Sequence, residues 1–260
     1  MRSAVLETMG TVISLAAPDS ARFQAAADAA FAFLRHVDRT FSPFRPDSPV
    51  SRIRDGALDP ARLDGHPDAR ELREVLALCD GLHRDSGGAF DAWAVGDPPR
   101  FDPSGAVKGW AAERASALLA VHGLPRHALN AGGDVRLRSG PPGADPAPPW
   151  RVGIADPHRP GHLLGAVEVG EGAVATSGTA ERGAHIWEPA TGRPAGALVQ
   201  VTVTGPDLAL ADGYATAAMA HGTAAAAHAW LERQAGRGYR AVTVDPAGRV
   251  RTTGGPGLLG

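Results

Sequence analysis

The stretch Gly165-Ala166-Val167-Glu168-Val169-Gly170-Glu171-Gly172-Ala173-Val174-Ala175-Thr176 sets short, β-branched residues between glycines and reads as strand. Strand-like runs stand on both sides of it, at Trp150 to Ile154, His185 to Trp187 and Leu198 to Thr204, and no helical period separates them. A regular alternation of strand and helix would build a parallel, doubly wound sheet. Hairpin-like strand clusters with helices set apart from them predict instead an α+β fold, with mixed or antiparallel sheets and packed helices.

The helical patterns flank this cluster. Before it, Val5 to Ala16 alternates as a strand, Asp19-Ser20 offers N-caps, and Phe23, Ala27, Ala30, Leu34, Val37 and Phe41 recur at three- and four-residue steps. A second helix carries Leu72, Val75, Leu76, Cys79 and Leu82 and stops at Gly87-Gly88, which leaves Ala89-Phe90-Asp91 just past a helix end. A third, downstream of Lys108, bears Trp110, Ala111, Ala115, Leu118 and Leu119 and ends at Gly123, before a strand around His127 to Leu137. A Pro/Gly-rich stretch at about 140–149 follows and reads as an exposed loop. After the cluster come helices near Ala209 to Ala220 and Thr223 to Gln234, and a strand at Tyr239 to Val244. Residues 1–260 read as a single domain, since patterned structure resumes directly after the loop.

Composition narrows the function. With 43% hydrophobic and 21% charged residues, the chain reads as a soluble globule able to bury roughly three quarters of its unfolded surface. The 26 Lys and Arg nearly balance 28 Asp and Glu, so the broad positive field that nucleic acid needs is missing. One cysteine, Cys79, rules out an internal disulfide, and its place on an apolar stripe marks it as core. Met1 to Thr8 is too short and polar for a signal peptide, and no run reaches membrane-spanning length. The localisation predicted is cytoplasmic, with no membrane insertion.

Three segments carry candidate chemistry. In Asp212-Gly213-Tyr214-Ala215-Thr216 a carboxylate and a hydroxyl four residues apart share one helix face. Together with a carbonyl, water and phosphate oxygens they suit a hard dication, although an Asp near a helix start is more often a cap or a solvated charge. In Asp102-Pro103-Ser104-Gly105-Ala106-Val107-Lys108-Gly109 a turn leads into a helix whose first N–H groups, with Lys108, can receive an anion; an exposed turn is the plainer reading. The glycine spacing of a P-loop is absent. Thr176-Ser177-Gly178 precedes His185-Ile186-Trp187-Glu188-Pro189-Ala190-Thr191-Gly192, where an imidazole can take a proton from a hydroxyl. No nucleophile elbow surrounds Ser177, which argues against a hydrolase triad.

Taken in order, these segments resemble the ApbE family of FAD:protein FMN transferases. The pieces that carry the likeness are Met9-Gly10-Thr11, Phe41-Ser42 with Ser51-Arg52-Ile53, Gly87 to Asp91, Asp102 to Gly109, Asn130-Ala131-Gly132-Gly133-Asp134, Thr176 to Gly178, His185 to Gly192, and Asp212 to Thr216. Trp187-Glu188 departs from the small aliphatic residue and Asp common at that place in the family. The resemblance implies FAD in a cleft, Mg²⁺ bridging its pyrophosphate, and FMN joined through a phosphoester to a Thr or Ser of a target protein, with AMP released. It implies Asp212 and Thr216 as metal ligands, the Gly105 carbonyl as a further one, and Ala215 adjoining them. Met9, Ala89, Phe90, Asp91, Asp102, Lys108 and Ile186 match flavin- or nucleotide-contacting positions, and His185 matches the histidine that assists transfer. No segment resembles a flavin-accepting motif, so the acceptor is expected to be another protein. Two alternatives stay open at this point: an FAD pyrophosphatase and a non-catalytic flavin-binding module.

Overall fold

The computed structural model describes residues 1–140, 148–180, 183 and 185–255. Most of the loop expected at about 140–149 therefore lies outside the described residues. The alternation from Val5 to Ala16 is broken at Met9-Gly10, whose φ values of 54° and 67° form a two-residue turn. What reads as one strand is a hairpin of β1 (Arg2–Thr8) and β2 (Thr11–Ala17), with Thr8 opposite Thr11. The expected strand at His127 to Leu137 divides the same way. Gly132 and Gly133, at φ 60° and 95°, turn β3 (Arg126–Ala131) into β4 (Asp134–Ser139). A side-chain period of two continues across so short a turn, which hides both hairpins from pattern reading.

The stretch Gly165 to Thr176 also divides, but between two sheets. β6 (Leu163–Val169) pairs with β5 (Trp150–Ala155), whereas β7 (Gly172–Gly178) joins β4 and β10 (Gln200–Gly205). The main sheet has eight strands in the order β1-β2-β3-β4-β7-β10-β11-β12, antiparallel throughout, where β11 is Arg240–Val244 and β12 Val250–Thr253. A small ribbon of β8 (Trp187–Glu188) and β9 (Arg193–Pro194) stands apart. Helices and antiparallel sheet combine as an α+β fold, as the strand clusters predict.

One face of the main sheet packs on helices α1 (Phe23–Phe41), α4 (Ser104–Val121), α5 (Leu208–Met219) and α6 (Ala224–Gln234), with α3 (Ala69–Ser86) lying against α4 and α5, through a core that includes Leu15, Leu34, Leu129, Val203 and Trp230. Val135, Leu137, Val174 and Val242 on the other face meet Ile154 and Val167 of the β5–β6 hairpin. Burying each such aliphatic side chain contributes about 1.5–3 kcal/mol. A short α2 (Pro49–Arg54), absent from the sequence reading, is capped by Ser48, whose Oγ accepts the Ser51 N–H at 3.0 Å. Ser20 Oγ accepts the Arg22 N–H ahead of α1, so the expected cap acts just outside the helix.

Two helix ends matter for the site. α3 stops at Gly87 (φ 64°), as its glycines predict, and delivers Ala89, Phe90 and Asp91. α4 begins at Ser104, ahead of the start read from the apolar stripe, which puts Gly105 in its first turn and Lys108 in its second. No helix among the described residues is long and apolar enough to cross a membrane.

Candidate functional site

Ten of the twelve residues of α5 are buried, so its carboxylate, Asp212 at 2% exposure, sits where an unpartnered charge would be costly. α4 crosses α5 at Gly109. A Cβ there would fall 2.6 Å from both Asp212 Cβ and the Leu208 carbonyl oxygen, and the bare backbone lets the Gly109 N–H donate to Asp212 Oδ2 at 2.8 Å. One turn along α5, Thr216 Oγ1 stands 3.5 Å from the Gly105 carbonyl oxygen and 3.2 Å from Ser177 Oγ on β7. The i, i+4 spacing of Asp212 and Thr216 thus places both oxygens against α4.

Lys108 lies between two carboxylates. Its ammonium pairs with Asp134 Oδ2 and stands 3.8 Å from Asp212 Oδ1. Asp134 is fully buried at the start of β4, and its other oxygen accepts the Thr176 N–H at 2.8 Å. The Lys108 ammonium thus stands between two buried carboxylates. One carboxylate, one hydroxyl and one carbonyl form an oxygen-only donor set, the chemistry of Mg²⁺ or Ca²⁺ and not of a soft metal. Among the described residues there is no group of three or more His, Cys, Asp or Glu side chains that could hold a metal ion.

The neighbouring segments hold their shape through local hydrogen bonds. Phe90 is buried, with its ring edge 3.3 Å from where a Gly105 Cβ would stand, so the end of α3 abuts the start of α4. Its N–H donates to Ser86 Oγ, and its carbonyl meets His83 Nδ1. Asp91 Oδ1 accepts the Trp93 N–H at 2.8 Å, and Asp102 Oδ1 accepts the Ser104 N–H at 2.9 Å. Met9 keeps a left-handed turn conformation with its N–H on Asp38 Oδ1. Ile186 is half-buried, and its carbonyl accepts the Ala195 N–H. His185 is exposed; its Nδ1 stands 3.0 Å from the Gly183 carbonyl oxygen, a contact that puts the proton on Nδ1 and leaves Nε2 as acceptor.

The structure therefore brings Gly105, Lys108, Asp212 and Thr216 into one cluster with Phe90 beside it, and Ala215 lies buried between Asp212 and Thr216 on α5. Among the described residues no hydrogen bond or ion pair joins Met9, Ala89, Asp91, Asp102, His185 or Ile186 to that cluster. Two members escaped the sequence reading. Asp134 and Ser177 sit in segments noted there, but their partners lie 26 to 42 residues away and no local period marks them. An open cleft lined by Leu78, Leu82, Leu210 and Tyr214 lies on the other side of α5 from this cluster. Burial pushes the Cys79 thiol up to about 12, which keeps it inert.

A model of the ApbE family matches residues 9–98 and 92–242. The FAD:protein FMN transferase of Rhodobacter capsulatus is 33% identical over 208 residues, 76% of this chain and 36% of that protein. The protein of the same name from Treponema pallidum is 31% identical over 215 residues, 73% of this chain and 57% of its own length. The chain thus spans between about a third and three fifths of these curated relatives. The crystal structure of an ApbE protein from Thermotoga maritima superposes with a TM-score of 0.79 at 20% identity, covering 97% of this chain and 96% of the other, and establishes a shared fold.

Proposed function

Since the chain belongs to the ApbE family, we propose that it transfers FMN from FAD to a Thr or Ser hydroxyl of another protein, in a Mg²⁺-dependent reaction that releases AMP. The observation that carries this reading is the meeting of Asp212, Thr216 and the Gly105 carbonyl beside Lys108. These residues would hold the ion, with Ala215 adjoining. Bound there, Mg²⁺ would supply charge neutralisation for the diphosphate. Lys108 and the N-terminal N–H groups of α4 add positive potential next to it.

The Met9, Ala89, Phe90, Asp91, Asp102 and Ile186 positions supply the remaining contacts to FAD in this reading, with the buried Phe90 tying the flavin segment to the metal segment. His185 takes the proton of the incoming hydroxyl on Nε2, its Nδ1–H fixed on Gly183. The hydroxyl oxygen forms a bond to the FMN phosphorus as the pyrophosphate linkage breaks, and AMP leaves.

Mass spectrometry of candidate acceptors incubated with FAD, Mg²⁺ and this protein tests the reading. The expected result is an FMN mass on a Thr or Ser. Multiple-turnover AMP release with no acceptor modified would replace transfer by hydrolysis, and an FAD complex that never yields AMP would reduce the protein to a binding module.

A further inference from the structure

Met9 is held in an unusual conformation from a distance. Among the described residues it is the one non-glycine with a positive φ, 54°, and it takes the first central position of the β1–β2 turn, where asparagine, aspartate or glycine is the usual choice. Its N–H donates to Asp38 Oδ1 at 3.1 Å, across 29 residues of sequence. Asp38 lies in the last turn of α1, where a carboxylate opposes the helix dipole, so helix stability does not account for an acid there. The turn itself stands at the end of the sheet that carries the cluster. Gly132 donates its N–H to the Val12 carbonyl at 3.1 Å and leaves no room for a Cβ against Thr11 Oγ1. The Met9-Gly10 turn is thereby set beside the Gly132-Gly133 turn, at the end where Asp134, the partner of Lys108, begins β4.

We infer that Asp38 is a positioning residue: by accepting the Met9 N–H it holds the turn in its left-handed form and so aims the Met9 side chain at the flavin. A residue with a side chain is strained at positive φ, and such strain persists only where the surroundings fix it. Here there are two anchors. The Met9 side chain is half-buried against the core, and the Asp38 bond fixes its backbone. Glycine would adopt this turn unaided, so the side chain, not the turn, is what the second anchor serves. With the acceptor gone, the N–H turns to water, the residue relaxes toward negative φ and the thioether moves. This inference rests on the assignment of Met9 to the flavin proposed above.

Two readouts test it, one of them without flavin, and a melting temperature accompanies each variant. The chain has three methionines, so ¹⁵N-methionine labelling leaves few amide signals, and that of Met9 is identified by its loss in Met9→Gly. Asp38→Ala is expected to shift the Met9 amide upfield as its bond is lost, and to weaken FAD binding, followed by flavin fluorescence, fivefold or more. Asp38→Asn keeps an oxygen for the bond and is expected to stay within threefold of wild type. Met9→Gly is expected to weaken FAD binding fivefold or more, and Asp38→Ala/Met9→Gly to bind no more weakly than Met9→Gly alone, because Asp38 acts through Met9. An unmoved Met9 signal in Asp38→Ala, or additive losses in the double variant, would overturn the inference. Asp38→Asn weakening FAD more than threefold would do the same, whether or not Asp38→Ala folds, by assigning the effect to charge. Met9→Gly binding FAD like the wild type would withdraw Met9 from the flavin, and this inference with it, while leaving FMN transfer standing. A wild-type protein that binds no FAD would instead remove the proposed function together with the inference.

Discussion

Asp212 and Gly109, 103 residues apart in sequence, meet through a single hydrogen bond of 2.8 Å from the glycine N–H to Oδ2. The contact exists because α4 presents bare backbone to α5. A methyl group at Gly109 would meet the Leu208 carbonyl oxygen at 2.6 Å, and a backbone atom in a buried helix cannot swing aside as a side-chain tip can.

Gly109→Ala is therefore expected to push α4 and α5 apart, lowering stability by about 1–3 kcal/mol and weakening divalent-ion binding through the displaced Asp212. Denaturant unfolding together with a metal titration checks this. Wild-type values in both would mean that the two helices adjust without cost.

A second prediction concerns pH and a histidine outside the site. His127 is fully buried, with Nδ1 2.7 Å from the Leu124 carbonyl oxygen and Nε2 2.8 Å from Ser116 Oγ. Arg138 Nε donates to that same Oγ at 3.0 Å, so the Ser116 hydroxyl turns its proton to Nε2, which must be unprotonated. Burial, followed by the Arg138 and Arg136 charges, lowers its pKa to about 4, against the Leu124 carbonyl, which favours the protonated ring. The folded pKa lies below the unfolded one. The contribution is therefore complete above about pH 6.5 and is lost as pH falls through 4, amounting to about 3 kcal/mol in all. Urea unfolding between pH 7 and 4 should show the fall, and His127→Gln should flatten it from a lower starting stability. An equally steep fall in that variant would assign the loss to other groups.

The sequence exposed some of this arrangement and concealed the rest for physical reasons. Asp212 and Thr216 are legible because a helix converts a spacing of four into one face, and the stop of α3 is legible because Gly87 needs a left-handed conformation. The hairpins at Met9-Gly10 and Gly132-Gly133 were concealed by continuous alternation, although two adjacent glycines between β-rich runs are a turn signal in themselves. Asp134 was illegible for a different reason: what distinguishes it is burial beside Lys108 and the Thr176 N–H, a property of sheet register that no local window contains.

His185 carries the last prediction. It stands outside the buried cluster, exposed, with one ring nitrogen turned onto the Gly183 carbonyl and the other left to accept a proton. A base for an incoming protein hydroxyl belongs at the surface, because the acceptor must reach it, whereas a ligand of the ion belongs inside. His185→Ala is accordingly expected to lower FMN transfer by roughly 10²- to 10⁴-fold, the range for loss of a general base, while FAD and Mn²⁺ affinities change little. Because the missing ring leaves solvent-accessible space, added imidazole should recover part of the rate. The measurement is transfer to an acceptor peptide with and without imidazole, alongside an FAD titration by flavin fluorescence. If His185 served only to order the approach to the β8–β9 ribbon, whose Ile186 carbonyl is bonded to Ala195, FAD affinity would fall together with the rate and imidazole would restore neither.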